Sequence, residues 1–134
     1  MSTFVLDTSA LLAHYRREAG CGRVQTILED DTATVSIVAV SIAEMARKLL
    51  NLGEDVDTAR SVALAYANLA TSVIPVDTAL SVRAFELGCA CASRIPLVDA
   101  FTAAGASLLD ATLVHRDGHF NEIPDDLLTQ ELLS

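Results

Sequence analysis

A chain of 134 residues, 51% hydrophobic and 20% charged, is long enough for one folded domain with a full core and excludes a disordered or low-complexity segment. Nine basic residues against 18 acidic ones give a formal charge of −9, which excludes nucleic-acid binding through a broad basic footprint and fits an acidic metal site or a basic protein partner. No run of about 18 uncharged apolar residues could span a bilayer, and no basic segment leads into a signal-type apolar run, so no membrane association and a cytoplasmic location are expected.

The chain opens on Phe4, Val5 and Leu6, followed by Asp7, Thr8 and Ser9 and then Ala10, Leu11 and Leu12. A short apolar run without alternation predicts a strand buried on both faces, as in a parallel sheet. Asp7, Thr8 and Ser9 supply N-cap chemistry for the helix that follows. Asp7 therefore ends a central strand, where open α/β sheets gather their ligands. The alternative for Asp7 is a helix cap and nothing more.

Arg16, Arg17 and Glu18, with Gly20 and Gly22, mark a break before Val24, Ile27 and Leu28, which share one face of a second helix. Residues 33–37 read as the second strand and residues 40–52 as a helix stopped by Asn51 and Gly53. Asp55 or Asp57 caps a helix carrying Val62, Ala63, Tyr66, Ala67 and Leu69; residues 72–75 form a short third strand. Asp77 caps a helix through Leu80, Ala84, Phe85 and Leu87, and Pro96 opens another over residues 97–109. Residues 111–114 make a fourth strand, and the tail is expected to be partly helical from about Asp125. This alternation predicts an α/β protein, a three-layer α/β/α sandwich with a central parallel sheet of four to five strands, as a single domain over residues 1–134. Cys21, Cys89 and Cys91 are an odd number in such a chain and are expected as buried structural thiols, not as disulfides or a shared metal site.

Four acidic residues stand out. Asp99 is the only charge between Arg94 and Asp110, on a helix whose same-face neighbours are the short Thr102, Ala103 and Ala106. A carboxylate on so apolar a helix must be solvated, paired or metal-bound, or else serve as a first-turn acid in the helix dipole. Glu44 shares a polar face with Arg47, Lys48 and Asn51, where an ion pair to Lys48 is the plain alternative. Asp117 follows a strand as Asp7 does, although Asp-Gly is also a common turn. His115-Arg116-Asp117 spells a kinase triplet, but without the glycine-rich loop or the catalytic-loop Asn it is a chance match. His14, His115 and His119 have no metal-ligand spacing, and His119 is expected as a surface or loop residue.

Asp7 in V-L-D-T-S-A-L-L, Glu44 in S-I-A-E-M, Asp99 in I-P-L-V-D-A-F-T-A-A and Asp117 in L-V-H-R-D resemble the four acidic positions of the PIN-domain family, in its small VapC-type toxin form. The likeness runs in order over nearly the whole chain, and it departs from the family at His115, where Ser or Thr is often found. The resemblance implies a divalent-metal-dependent endoribonuclease, the toxin of a toxin–antitoxin pair, leaving 3′-hydroxyl and 5′-phosphate ends. It implies Asp7, Asp99 and Asp117 as ligands to Mg²⁺ or Mn²⁺, and Glu44 as a ligand or a group orienting water. Ser9 would support the Asp7 carboxylate or only cap its helix. Arg16, Arg17, Arg47, Lys48 and Arg116 flank the acids and would meet RNA, if they are not plain surface charges. The implied partners are RNA, a cognate antitoxin and a second copy of the chain. Two rivals remain: a PIN-like binding module without catalysis, and a phosphoacceptor-aspartate domain. The latter is disfavoured by Ser9 in place of a second Asp and by Lys48 as the sole lysine.

Overall fold

Strands β1 (Thr3–Leu6), β2 (Thr34–Val38), β3 (Ser72–Ile74), β4 (Thr112–His115) and β5 (Thr129–Leu132) pair in parallel in the order β3-β2-β1-β4-β5, in a computed structural model that describes residues 2–134. The apolar opening run is the middle strand: Phe4 lies opposite Val35 on one side and Thr112 on the other. Its successive side chains feed two cores, as the two-residue period of a strand requires. Val5 joins Leu113, Leu80 and Ala103 on one face, while Leu6 joins Val35, Ile37 and Val114 on the other.

Helices α1 (Thr8–Tyr15), α2 (Cys21–Glu29), α3 (Ala39–Asn51) and α4 (Val56–Leu69) cover the Leu6 face, and α5 (Thr78–Ala90) and α6 (Leu97–Leu109) cover the Val5 face. Helix α6 packs closely on the sheet through the small, buried Ala103, Ala104, Gly105 and Ala106. A Cβ on Gly105 would come within 2.6 Å of Val38 Cγ2. Since α6 leads into the parallel β4, its first turn lies at the rim where β1, β2 and β4 end. That fixed helix places Asp99 beside Asp7.

The α/β architecture is as expected, and the sheet has the larger number of strands. Asp55 and Asp77 are the caps of α4 and α5, accepting from Thr58 N at 2.7 Å and Leu80 N at 2.9 Å. Gly20 takes φ +93° before α2, where a Cβ would meet Leu133 Cβ at 2.7 Å, whereas Gly22 lies inside that helix.

The tail is a correction. Residues 125–127 form a turn, and Thr129–Leu132 is a strand with no helix after Asp125. Leu127, Leu128, Leu132 and Leu133 fit a helical period on their own, but the open edge of β4 leaves backbone groups that a strand satisfies. Leu133 N donates to His115 O at 2.7 Å. The cysteines are a second correction, in burial alone: all three are free as expected, but Cys21 and Cys91 are only half-buried and Cys89 is exposed. Cys89 sits on the side of α5 opposite Leu80, Ala84 and Leu87, which turn into the core. Among the described residues no helix is long and apolar enough to cross a membrane.

Candidate functional site

Asp7 caps α1 with one oxygen only. Its Oδ2 accepts from Ser9 N at 3.0 Å and from Ser9 Oγ at 2.5 Å, while Oδ1 is buried without a hydrogen-bond partner. The capping and site readings of Asp7 therefore fall on different atoms of one side chain. Ser9 Oγ in turn accepts from Arg116 N at 2.9 Å, tying the β1–α1 turn to the segment after β4.

Asp99 is 5% exposed in the first turn of α6, and His119 reaches its Oδ2 with Nδ1 at 3.0 Å. The same Nδ1 lies 3.0 Å from Asp117 Oδ1, which also accepts from His119 N at 2.9 Å. Ligand-type atoms of Asp99, Asp117 and His119 all lie within 4.8 Å of one another. Asp7 and Glu44 stand outside that tight group yet close enough for their charge to act on it.

The electrostatics follow from burial and like charge. Burial, then the charges of Asp7, Asp117 and Glu44, push Asp99 up to about 6, with His119 pulling the other way. Burial also raises Asp7, against the hydrogen bonds from Ser9 and with the help of Glu44 and Asp117. The Asp117 charge, and after it Asp99, hold His119 above its ordinary value. Glu44, half-buried on α3, makes no ion pair with Lys48.

The flanking cations divide. Arg47 and Lys48 share with Glu44, Val40 and Val98 a cleft of about 270 Å³, so they adjoin Asp99 through its neighbour Val98. Arg116 and Arg16 both turn to Glu18, at 3.4 and 3.5 Å, and Arg17 lines a separate cavity beside His14 and Tyr66. His14 is bound on both ring nitrogens, to Tyr66 Oη and to Gln25 Oε1 at 2.6 Å each, away from the acids.

His119 is exposed, as expected of a loop residue, yet it belongs to the acidic cluster. The available signal was its place two residues after Asp117: an Asx turn folds residue i+2 back over the carboxylate of residue i. His115 is fully buried, and its Nδ1 accepts from Asp117 N at 3.1 Å, the acceptor role a Ser or Thr hydroxyl would take two residues upstream.

A sequence model described as the PIN domain matches residues 4–126. Among solved structures, VapBC2 from Rickettsia felis, bound to a DNA fragment from its promoter, superposes with TM-score 0.77 at 17% identity, covering 98% of this chain and 99% of that one. VapC20 of Mycobacterium tuberculosis, described as a Sarcin-Ricin loop cleaving toxin, gives 0.69 at 20%, covering 88% and 92%. VapBC-5 of the same organism, a member of the VapBC family of toxin-antitoxin systems, gives 0.66 at 20%, covering 98% of each. At these identities the likeness is one of fold. No curated protein matches by sequence.

Proposed function

This chain belongs to the PIN domain family, and from that premise we propose that it is a divalent-metal-dependent endoribonuclease, a single nuclease domain over residues 1–134. We include in the proposal that it is the toxin of a toxin–antitoxin pair, acting in the cytoplasm, with an antitoxin and a second copy of itself as protein partners.

The observation that carries the reading is the buried, partnerless Oδ1 of Asp7 at a rim shared with Asp99, Asp117 and Glu44. Burying a bare carboxylate oxygen is costly unless something satisfies it. A donor set of carboxylate oxygens suits a hard cation such as Mg²⁺ or Mn²⁺. Asp7, Asp99 and Asp117 would hold it, and Glu44 would bind it or orient water. Bound there, such an ion supplies charge neutralisation to a phosphodiester and lines up attacking and leaving oxygens for hydrolysis to 3′-hydroxyl and 5′-phosphate ends.

The chain's own residues do the rest. Ser9 holds Asp7 Oδ2, so that Oδ1 keeps a fixed aim. His119 bridges Asp99 and Asp117 and screens their repulsion. Arg47 and Lys48, in the cleft beside Glu44, are the proposed contacts for RNA backbone, with Arg16 and Arg116, which turn to Glu18, and Arg17 as further candidates. Exposed Phe85, Leu97 and Leu64 are apolar surface that protein partners would cover.

The test is cleavage of total RNA by the pure protein with Mg²⁺ or Mn²⁺, with EDTA, and by Asp99→Asn. Cleavage should need metal, and Asp99→Asn should lower it at least as far as loss of a group supporting a metal ligand does, about 10–100-fold. Full activity in EDTA would sink the metal reading. Expressed alone, the parent should arrest growth and Asp99→Asn should be tolerated at equal protein level.

A further inference from the structure

We infer that His115 and Gln130 are positioning residues, a partly buried hydrogen-bonded relay through which the fifth strand holds Asp117 in place. The inference rests on the metal-site reading above, of which Asp117 is a part.

Every donor and acceptor in the relay points one way. Gln130 Nε2 donates to Phe120 O at 2.9 Å, which fixes the orientation of its amide. Its Oε1 is then the acceptor facing His115 Nε2 at 2.9 Å, so that nitrogen carries the imidazole proton. His115 Nδ1 is left with a free lone pair, and it accepts from Asp117 N at 3.1 Å. The ring is fully buried and tilted against Phe120, with centroids 4.7 Å apart. The carbonyl of His115 is occupied too, by Leu133 N.

Asp117 is thus fixed at its backbone by the relay, and its side chain caps the 3₁₀ helix Gly118–Glu122, whose Phe120 carbonyl closes the circuit at Gln130. Gln130 lies beyond residue 126, where the sequence match to the family ends, while His115, Asp117 and Phe120 lie within it.

The test separates the acceptor from the volume. His115→Asn keeps an acceptor near the Nδ1 position, His115→Thr offers a hydroxyl there, and His115→Leu keeps apolar bulk with no acceptor. The readouts are Mn²⁺ affinity of the metal-free protein by calorimetry, and hydrogen exchange of the Asp117 amide in EDTA. His115→Leu should weaken Mn²⁺ binding about 10–100-fold, the usual loss when a group supporting a metal ligand is removed, and should speed exchange of that amide. His115→Asn or His115→Thr should recover most of both. Gln130→Leu, on the edge strand and tolerant of folding, should show the same two losses more weakly.

The inference is overturned if His115→Leu or Gln130→Leu binds Mn²⁺ as the parent does, or if the Asn and Thr variants lose as much as Leu. Failure of the underlying reading looks different: a parent that binds no Mn²⁺ removes the site and the relay's role together. A parent that binds Mn²⁺ without cutting RNA removes only the nuclease.

Discussion

Asp55 and Asp77 on the outer layer and Asp7 at the sheet rim begin helices with the same local chemistry, a carboxylate accepting from a backbone N–H two or three residues on. Their charges are treated in opposite ways. The Thr58 N–H holds exposed Asp55 below the usual carboxylate range. Asp7 receives two hydrogen bonds of the same kind, yet burial and the neighbouring acids push it up. A cap stabilises the ionised form, and at the rim that gain is outweighed by lost water and by like charge. One region spends its carboxylates on the fold. The other holds them against a cost, which is what a binding site for a cation requires.

The largest way to break this contrast is pH. Asp99 is raised from 3.8 to about 6, so in the metal-free protein it binds its proton more tightly folded than unfolded. Its ionisation penalty appears as pH rises from about 4 and is complete above about 6, and it amounts to on the order of 3 kcal/mol. His119 is raised as well; its contribution is present below its unfolded value near 6.5 and is lost as pH rises through its higher folded value. Asp99 thus makes stability in EDTA fall between about pH 4 and 6, and His119 extends the fall only above about pH 6.5. Asp55 acts the other way, because its folded value is lowered: its contribution is lost only as pH drops below about 4. Thermal melts in EDTA from pH 3 to 8 should peak at about pH 4–5, and Asp99→Asn should remove most of the decline towards pH 7. A parent profile flat from pH 4 to 7 would mean that the rim carboxylates carry no strain.

The same contrast explains what could be read from the sequence. The central strand and α6 were legible because Phe4, Val5 and Leu6, and the run from Leu97 to Leu109, are apolar enough that burial and propensity agree. The strand-to-helix turn put Asp7 at the rim by chain connectivity alone. The tail was not legible, since β5 exists through its pairing with β4, and Thr129 to Leu132 carry no alternation strong enough to announce it. The His119–Asp99, His115–Gln130 and Gln130–Phe120 contacts were hidden for a like reason: they join segments 10 to 20 residues apart, which no local period encodes, whereas the turn that brings His119 to Asp117 is local. Glu44 was ambiguous because a half-buried acid on the polar face of α3 suits a solvated helix face as well as a site, and it forms no ion pair with Lys48.

Metal sharpens the contrast next. A site with a dissociation constant of about ten micromolar adds about 2.7 kcal/mol at one millimolar ion, because only the folded state binds. The parent should melt about 8–14 °C higher in Mn²⁺ than in EDTA, at about 3–5 °C per kcal/mol for a chain of this length. Asp99→Asn should lose that rise without melting lower in EDTA at pH 7, since it removes a penalised charge. Gly105→Ala tests the support beneath it: a Cβ 2.6 Å from Val38 Cγ2 must shift α6, at about 1–3 kcal/mol. If the variant folds, its metal-induced rise should shrink as well, because Asp99 rides on that helix. An Asp99→Asn protein that still responds to Mn²⁺ as the parent does would place the ion elsewhere.

The smallest effect belongs to the outer layer and is the control for all the others. Asp77 Oδ1 accepts from Leu80 N at 2.9 Å, satisfying one of the donors that the first turn of α5 leaves without an intrahelical partner. Asp77→Ala removes the acceptor and should cost about 1 kcal/mol, or about 3–5 °C in melting temperature, equally in EDTA and in Mn²⁺. Asp77→Asn keeps an acceptor of similar reach, and Asn caps about as well as Asp, so it should melt within a degree or so of the parent. The charge at Asp77 is therefore dispensable and the oxygen is not, whereas at Asp99 the same change to Asn should abolish the metal response. The pair of measurements is thermal melting of Asp77→Ala, Asp77→Asn and Asp99→Asn with and without Mn²⁺. If Asp77→Asn falls as far as Asp77→Ala, the outer caps depend on charge after all. If Asp77→Ala also loses the Mn²⁺-induced rise, the two regions are not separate, and the rim is not where the ion binds.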